Sequence, residues 1–298
     1  MSNRHPAAPS PGEVSPGGSS SPESILTNGR LLILAPHMDD ETLGCGGIMA
    51  LHSDPSRIYC LFATDGSRSP TPLLPWAGEI DRELPSKRRK EALAALAELG
   101  VGRDNAIFLD LPDGKLSRHS RSLRSSLSQI LGAVRPDLVL APFRLDAHPD
   151  HVALNRVARR VLATEATQPR FAEYFVYSRL RLLPGEDIRR CLPPSSLVRI
   201  ETQAVADTKM RALLKYETQV TVTQTWQERP ILTPESLRER CATAEYFMFG
   251  EPGDRLLQPF PRQRARIFTA YLAQRFGKRP KDRMLALYRW LSGDGHPR

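Results

Sequence analysis

Leu31-Leu32-Ile33-Leu34-Ala35-Pro36-His37-Met38-Asp39-Asp40-Glu41 runs from consecutive aliphatic residues into one imidazole and three carboxylates. A short apolar run stopped by proline reads as a strand buried on both faces. The polar cluster then falls at that strand's carboxyl end, where open parallel sheets hold their ligands. The pattern recurs further along, where Val139-Leu140-Ala141-Pro142 leads into Asp146-Ala147-His148-Pro149-Asp150-His151. Two such runs are what a metal site at the carboxyl edge of a parallel sheet requires.

Working outward, strands are expected at 31–34, 58–63, 107–109, 138–141 and 171–177, with a weaker one at 197–200. Helical apolar spacing covers 86–99, 121–134 and 151–164. The alternation predicts an α/β fold, a parallel sheet covered on both faces. Gly44-Cys45-Gly46-Gly47 follows the first strand, where a helix can start close against the sheet. Beyond Glu201 the alternation stops. A helix is expected over 207–216, an extended Thr-rich piece over 220–225 and helical structure over 234–249, together a C-terminal accessory region packed on the sheet.

Three segments result. Residues 1–28 are rich in Pro, Ser and Gly and are expected to be disordered. Residues 29–254 form the folded domain, and residues 255–298 a basic amphipathic helical tail. The net charge of +9 resides entirely in that tail, where eleven Lys/Arg face Asp282 and Asp294. A neutral domain argues against a nucleic-acid groove through the active region. No apolar run approaches the ~20 residues of a membrane span, and no signal core precedes the domain. Cys45, Cys60, Cys191 and Cys241 show no paired spacing, so a cytoplasmic location is expected.

Hydrolytic zinc centres commonly use two His and one carboxylate, leaving a position for water. His37, Asp40 and His151 would supply that set. Asp39, adjacent to a ligand but free to point elsewhere, suits a general base. His148 could polarise the amide carbonyl, stabilise the oxyanion or protonate the leaving nitrogen, and Asp150 could fix an imidazole tautomer. Alone, Asp-Asp-Glu reads as a helix N-terminus favoured by the macrodipole, and His-x-x-His as a surface or cap feature. Both clusters following strands, each with His and Asp, outweigh those separate readings.

The two segments resemble the zinc-dependent N-deacetylases of the LmbE/PIG-L type, with signatures close to A-H-P-D-D-E and H-P-D-H. The resemblance covers about residues 30–250 and includes Thr64-Asp65-Gly66, Arg88-x-x-Glu91 with Leu99-Gly100, Leu111-Pro112-Asp113-Gly114 and Arg135-Pro136-Asp137-Leu138-Val139. Lys209, Tyr216-x-x-Gln219 and Glu245-x-Phe247 complete the series in order. Met38 stands where that family usually has Pro, with Pro36 preceding the His instead. The resemblance implies a Rossmann-like three-layer α/β/α fold with a mostly parallel sheet. It also implies hydrolysis of an N-acetyl group from an amino sugar of a glycoconjugate or polysaccharide precursor. His37, Asp40 and His151 are then the ligands of zinc, or of iron(II). Asp39 is the base, His148 the electrophilic or acid partner, and Asp150 the Asp between the histidines. Arg88 and Asp113 match positions that hold sugar hydroxyls, although Arg88 in Lys87-Arg88-Arg89-Lys90 also reads as a solvated helix face. Glu41 is expected to cap or brace the first helix.

Basic amphipathic helices can rest on anionic membranes, so peripheral membrane contact through 255–298 and a lipid-linked sugar substrate follow as one reading of the tail. Packing of its apolar stripes on the domain is the other. Competing functions are cleavage of a larger acyl or thiol-conjugate amide, or carbohydrate binding without catalysis.

Overall fold

The structure, a computed structural model, describes residues 21–70, 81–146, 148–164, 168–176, 181–183, 186–187, 196–242 and 244–251. Its main sheet has seven strands in the order β3-β2-β1-β4-β5-β9-β8. These are β1 (Leu31–Ala35), β2 (Ile58–Thr64), β3 (Ala106–Leu111), β4 (Leu138–Pro142), β5 (Arg170–Tyr174), β8 (Leu197–Ile200) and β9 (Glu245–Phe249). A small hairpin pairs β6 (Arg181–Leu183) with β7 (Glu186–Asp187). The first five strands of the main sheet run parallel, and β9 is antiparallel to both β5 and β8. The strand order reverses between β1 and β4, the place where such sheets bind ligands.

Helices cover both faces, giving the three layers. Along β1, Leu31, Ile33 and Ala35 join one core with α2 (Asp40–Leu51), α3 (Leu84–Glu98), α6 (Ala206–Leu214) and α8 (Pro234–Ala242). Leu32 and Leu34 join the other, with α4 (Ser120–Val134) and α5 (Pro149–Leu162). A strand sandwiched this way reads as an unbroken apolar run because successive side chains bury on opposite faces. Among the described residues, no helix is long and apolar enough to cross a membrane.

Three expectations need correction. Disorder was expected through residue 28, yet Pro22–Asn28 form helix α1. Ser21 caps it by accepting from the Ser24 N–H, Pro22 opens it, and Ile25 and Leu26 bury against the core. The helical reading of 234–249 ends at Ala242, and Glu245–Phe249 is the strand β9. The extended piece expected at 220–225 starts one residue later, with Thr221 extended after the helix. Val220 closes the short helix α7 (Glu217–Val220), and the Gln227 side chain accepts from the Thr223 and Gln224 N–H groups. Residues 1–20 and the tail from 252 onward lie outside the described residues.

Glycines let α2 lie close to its neighbours. A Cβ at Gly44 would collide with the Tyr174 ring, and one at Gly47 would collide with Thr202 Cγ2. Beside Gly47, Glu245 of β9 accepts from the Gly47 and Ile48 N–H groups at 2.6 and 2.9 Å. It also pairs with Lys209 Nζ at 2.7 Å, which in turn donates to the Leu43 carbonyl at 3.2 Å. Lys209 and Glu245 are both buried, so removing one charge strands the other. Glu245→Ala is expected to destabilise the protein by about 3–5 kcal/mol, read from urea denaturation. A smaller loss for the Lys209→Met/Glu245→Leu double variant would show that the stranded charge is the cause.

Candidate active site

Because β1 and β4 are neighbours, the loops leaving their carboxyl ends meet. Each then enters a helix, so Asp40 lies in the first turn of α2 and Asp150 in the first turn of α5. The His37, His148 and His151 rings gather with centroids 4.7 to 5.5 Å apart. Asp40 Oδ2 lies between two of them, 3.1 Å from His37 Nδ1 and 3.1 Å from His151 Nε2. His37, His148 and His151 bring donor atoms close enough together to hold one ion, as do His37, Asp113 and Asp150. A buried carboxylate between two imidazoles is a donor set suited to a divalent cation such as zinc. Asp40 and Glu41 do lie in the first turn of α2, as the helix-N-terminus reading has it.

The electrostatics agree with that donor set. Burial opposes ionisation of Asp40, yet His151 and His37 hold its carboxyl well below the usual range. Burial likewise opposes a proton on His151, but Asp40 and Asp146 raise it to about 9. His37 is raised too, against its burial, by Asp113, Asp150 and Asp40. The positive charge these rings carry beside Asp40 is what a bound cation would replace.

Asp39 is also buried, but its carboxylate turns to Arg88 Nη2 at 3.4 Å. Burial pushes Asp39 up to about 7, with Arg88 opposing and Asp40 and Glu41 adding to the rise. A carboxyl titrating near neutrality is placed for proton transfer. Its backbone lies at φ 127°, a region L-residues rarely adopt. Its N–H donates to Glu41 Oε2 at 3.1 Å. Glu41 also accepts from Thr42 Oγ1 at 2.5 Å and from the Tyr216 hydroxyl.

Arg88 is 1 % exposed, so the solvated-face reading of its basic run does not hold there. Its Nη2 donates to the Met38 carbonyl, while its buried Nε has no hydrogen-bond partner among the described residues. Asp113 comes within 3.2 Å of His37 Nε2 and accepts from the Arg68 N–H at 3.0 Å. Against the cost of burial, His37 brings its carboxyl down to about 2.

His148 caps α5, its Nδ1 accepting from the Asp150 N–H at 3.2 Å. That bond leaves the proton of the neutral ring on Nε2. Burial, then His37 and His151, hold His148 down to about 3, so its ring is neutral at pH 7. The Asp150 carboxylate is spent elsewhere. It accepts from Gly114 and Leu116 N–H at 2.7 and 3.0 Å and stands 3.4 Å from His37 Nε2. The tautomer of His148 is thus fixed by the main chain of Asp150, while its side chain braces the loop bearing Asp113.

Three groups around the site were not among the residues expected to act there. Asp146, buried, meets His151 Nδ1 at 2.9 Å and orients that ring. Its signal was visible, five residues before His151 in the same cluster. Glu173 on β5 holds Arg144 through the backbone N–H at 3.0 Å and Nε at 2.7 Å, anchoring the loop from β4. Tyr216 reaches Glu41 from far along the chain; its motif with Gln219 was visible, but not the partner it meets.

Residues 32–162 match the model of the PIG-L family, GlcNAc-PI de-N-acetylase. A 1D-myo-inositol 2-acetamido-2-deoxy-alpha-D-glucopyranoside deacetylase of Actinosynnema mirum is 26% identical over 237 residues, covering 67% of this chain and 82% of that protein. A 2'-N-acetylparomamine deacetylase of Streptomyces fradiae is 25% identical over 213 residues, covering 65% and 75%. The crystal structure of a conserved protein of Thermus thermophilus aligns with a TM-score of 0.51 at 26% identity, covering 78% of this chain and 99% of that one.

Proposed function

We propose that this chain is a metal-dependent amide hydrolase that removes an N-acetyl group from an amino sugar of a glycoconjugate or its precursor. The observation that carries the reading is Asp40 lying between His37 and His151, with Asp39 beside it and the neutral His148 opposite. The similarity to two deacetylases of N-acetylated amino sugars supports the substrate class.

In this reading His37, Asp40 and His151 hold zinc, with iron(II) the alternative occupant. Zinc in such a site supplies Lewis acidity and lowers the pKa of water from about 15.7 toward ~7. Asp39 takes a proton from the attacking water and passes it to the sugar nitrogen as the C–N bond breaks, releasing acetate and the free amine. His148, neutral and protonated on Nε2, donates a hydrogen bond to the carbonyl oxygen as negative charge develops there. Asp146 holds the His151 ring in register. Asp113 and Arg88 hold sugar hydroxyls. Because Met38 and Asp39 also engage Arg88, it sets the base as well as the sugar.

The test is acetate release from a panel of N-acetylglucosamine derivatives, with longer N-acyl analogues alongside. Release from acetyl substrates, stopped by chelation and restored by zinc, is the expected result. Release from the longer analogues alone would move the function to a larger acyl group. No release from any member by metal-loaded protein would overturn the hydrolase reading.

A further inference from the structure

Two motifs remain after the chemistry is assigned, the Glu91 of Arg88-x-x-Glu91 and Tyr216-x-x-Gln219. In the fold they meet. Tyr216 donates through its hydroxyl to Glu41 Oε1, and Glu41 Oε2 holds the Asp39 N–H. Thr218 gives its N–H and hydroxyl to the two carboxylate oxygens of Glu91 at 2.8 and 2.7 Å. Gln219 donates from Nε2 to the Ser69 carbonyl at 2.8 Å and accepts from Ser69 Oγ at 3.1 Å. Next to Ser69, the Arg68 N–H donates to Asp113. Tyr216, Thr218 and Gln219, all buried, thus touch the loop of Asp39, the helix of Arg88 and the loop bonded to Asp113.

We infer that residues 216–219 form a bracket that positions the two halves of the site separately, Tyr216 setting the general base and Gln219 the sugar-facing wall. The inference rests on the proposed roles of Asp39 and Asp113. Core packing alone does not account for this stretch. A phenol hydroxyl and a carboxylate buried together cost desolvation that apolar side chains would avoid. What the pair accomplishes is local. Glu41 fixes the amide of a residue whose φ of 127° persists only where its surroundings impose it. Thr218 and Glu91 tie the bracket to α3, so Arg88 and Tyr216 approach Asp39 from a common support.

Tyr216→Phe removes one hydroxyl and keeps the ring, and Gln219→Met keeps length while removing both polar atoms. In the full-length, metal-loaded protein acting on N-acetylglucosamine, Tyr216→Phe is expected to lower kcat about tenfold or more with KM within about twofold. Gln219→Met is expected to raise KM about tenfold with kcat within about twofold. Amide hydrogen exchange, which needs no substrate, reads the bracket directly. Exchange at Asp39 should rise about tenfold in Tyr216→Phe, and at Arg68 in Gln219→Met, with Cys60 in β2 unchanged. The same split between kcat and KM in both variants, with exchange raised across the sheet, would reduce the stretch to general stability and overturn the inference. So would unchanged exchange at Asp39 and Arg68. If wild-type protein releases no acetate, the deacetylase reading falls, while the exchange result still decides the bracket.

Discussion

Asp40→Ala is expected to bring metal content to background and to cut acetate release at least about a thousandfold, about 4 kcal/mol of transition-state stabilisation. Asp40 is the anionic member of the proposed donor set and the group both flanking rings share. With it gone, no carboxylate remains between the two rings. Metal analysis by mass spectrometry and acetate release on the same sample check the result. His151→Ala should lose metal as well, and because it also removes the ring that Asp146 meets at 2.9 Å, it should melt at lower temperature than Asp40→Ala. An Asp40→Ala protein that kept a full equivalent of metal would remove Asp40 from the ligand set.

Asp39→Asn should behave differently. Metal content is expected to stay at the wild-type level while kcat falls about 10²–10⁴-fold, the range for losing a positioned acid–base group. Asparagine tolerates positive φ better than most residues, so the backbone at 39 should keep its course. Arg88 retains the Met38 carbonyl. KM measured alongside kcat separates the two possibilities, since lost proton transfer leaves substrate binding nearly intact. Loss of metal in this variant would place Asp39 among the ligands and shift the base elsewhere.

How much of this was legible in the sequence depends on the distance over which each feature is written. The strands β1 and β4 and the clusters at their ends are local, an apolar run followed by His and Asp, and they were readable directly. So was the alternation that sets the three layers. The strand β9 was not, because Glu245–Phe249 buries nearly along its length and shows no two-residue alternation. Its apolar residues merged with the spacing of α8. Helix α1 was missed because two adjacent apolar residues, Ile25 and Leu26, within a Pro/Ser/Gly-rich stretch carry little periodic signal. Arg88 looked like one cation in an exposed row. Only the packing of α3 shows that it turns inward while Arg89 reaches out to Asp110 at 2.6 Å. Asp150 stands in plain view between two histidines, but sequence could not show that its amide serves His148 while its carboxylate serves another loop.

The antiparallel strand β9 bears on when the protein becomes functional during synthesis. Every residue proposed to bind metal has been translated once His151 is made, yet helix α2, which carries Asp40, is held by Lys209 and Glu245. At about 5–20 residues per second, β9 leaves the ribosome several seconds or more after the last of those ligands. During that interval the nascent chain carries a complete set of donor side chains on a helix that lacks its lock. The catalytic centre is therefore expected to set late, as the closing event of folding, and a chain cut short before Glu245 would carry all the chemistry without the means to hold it still.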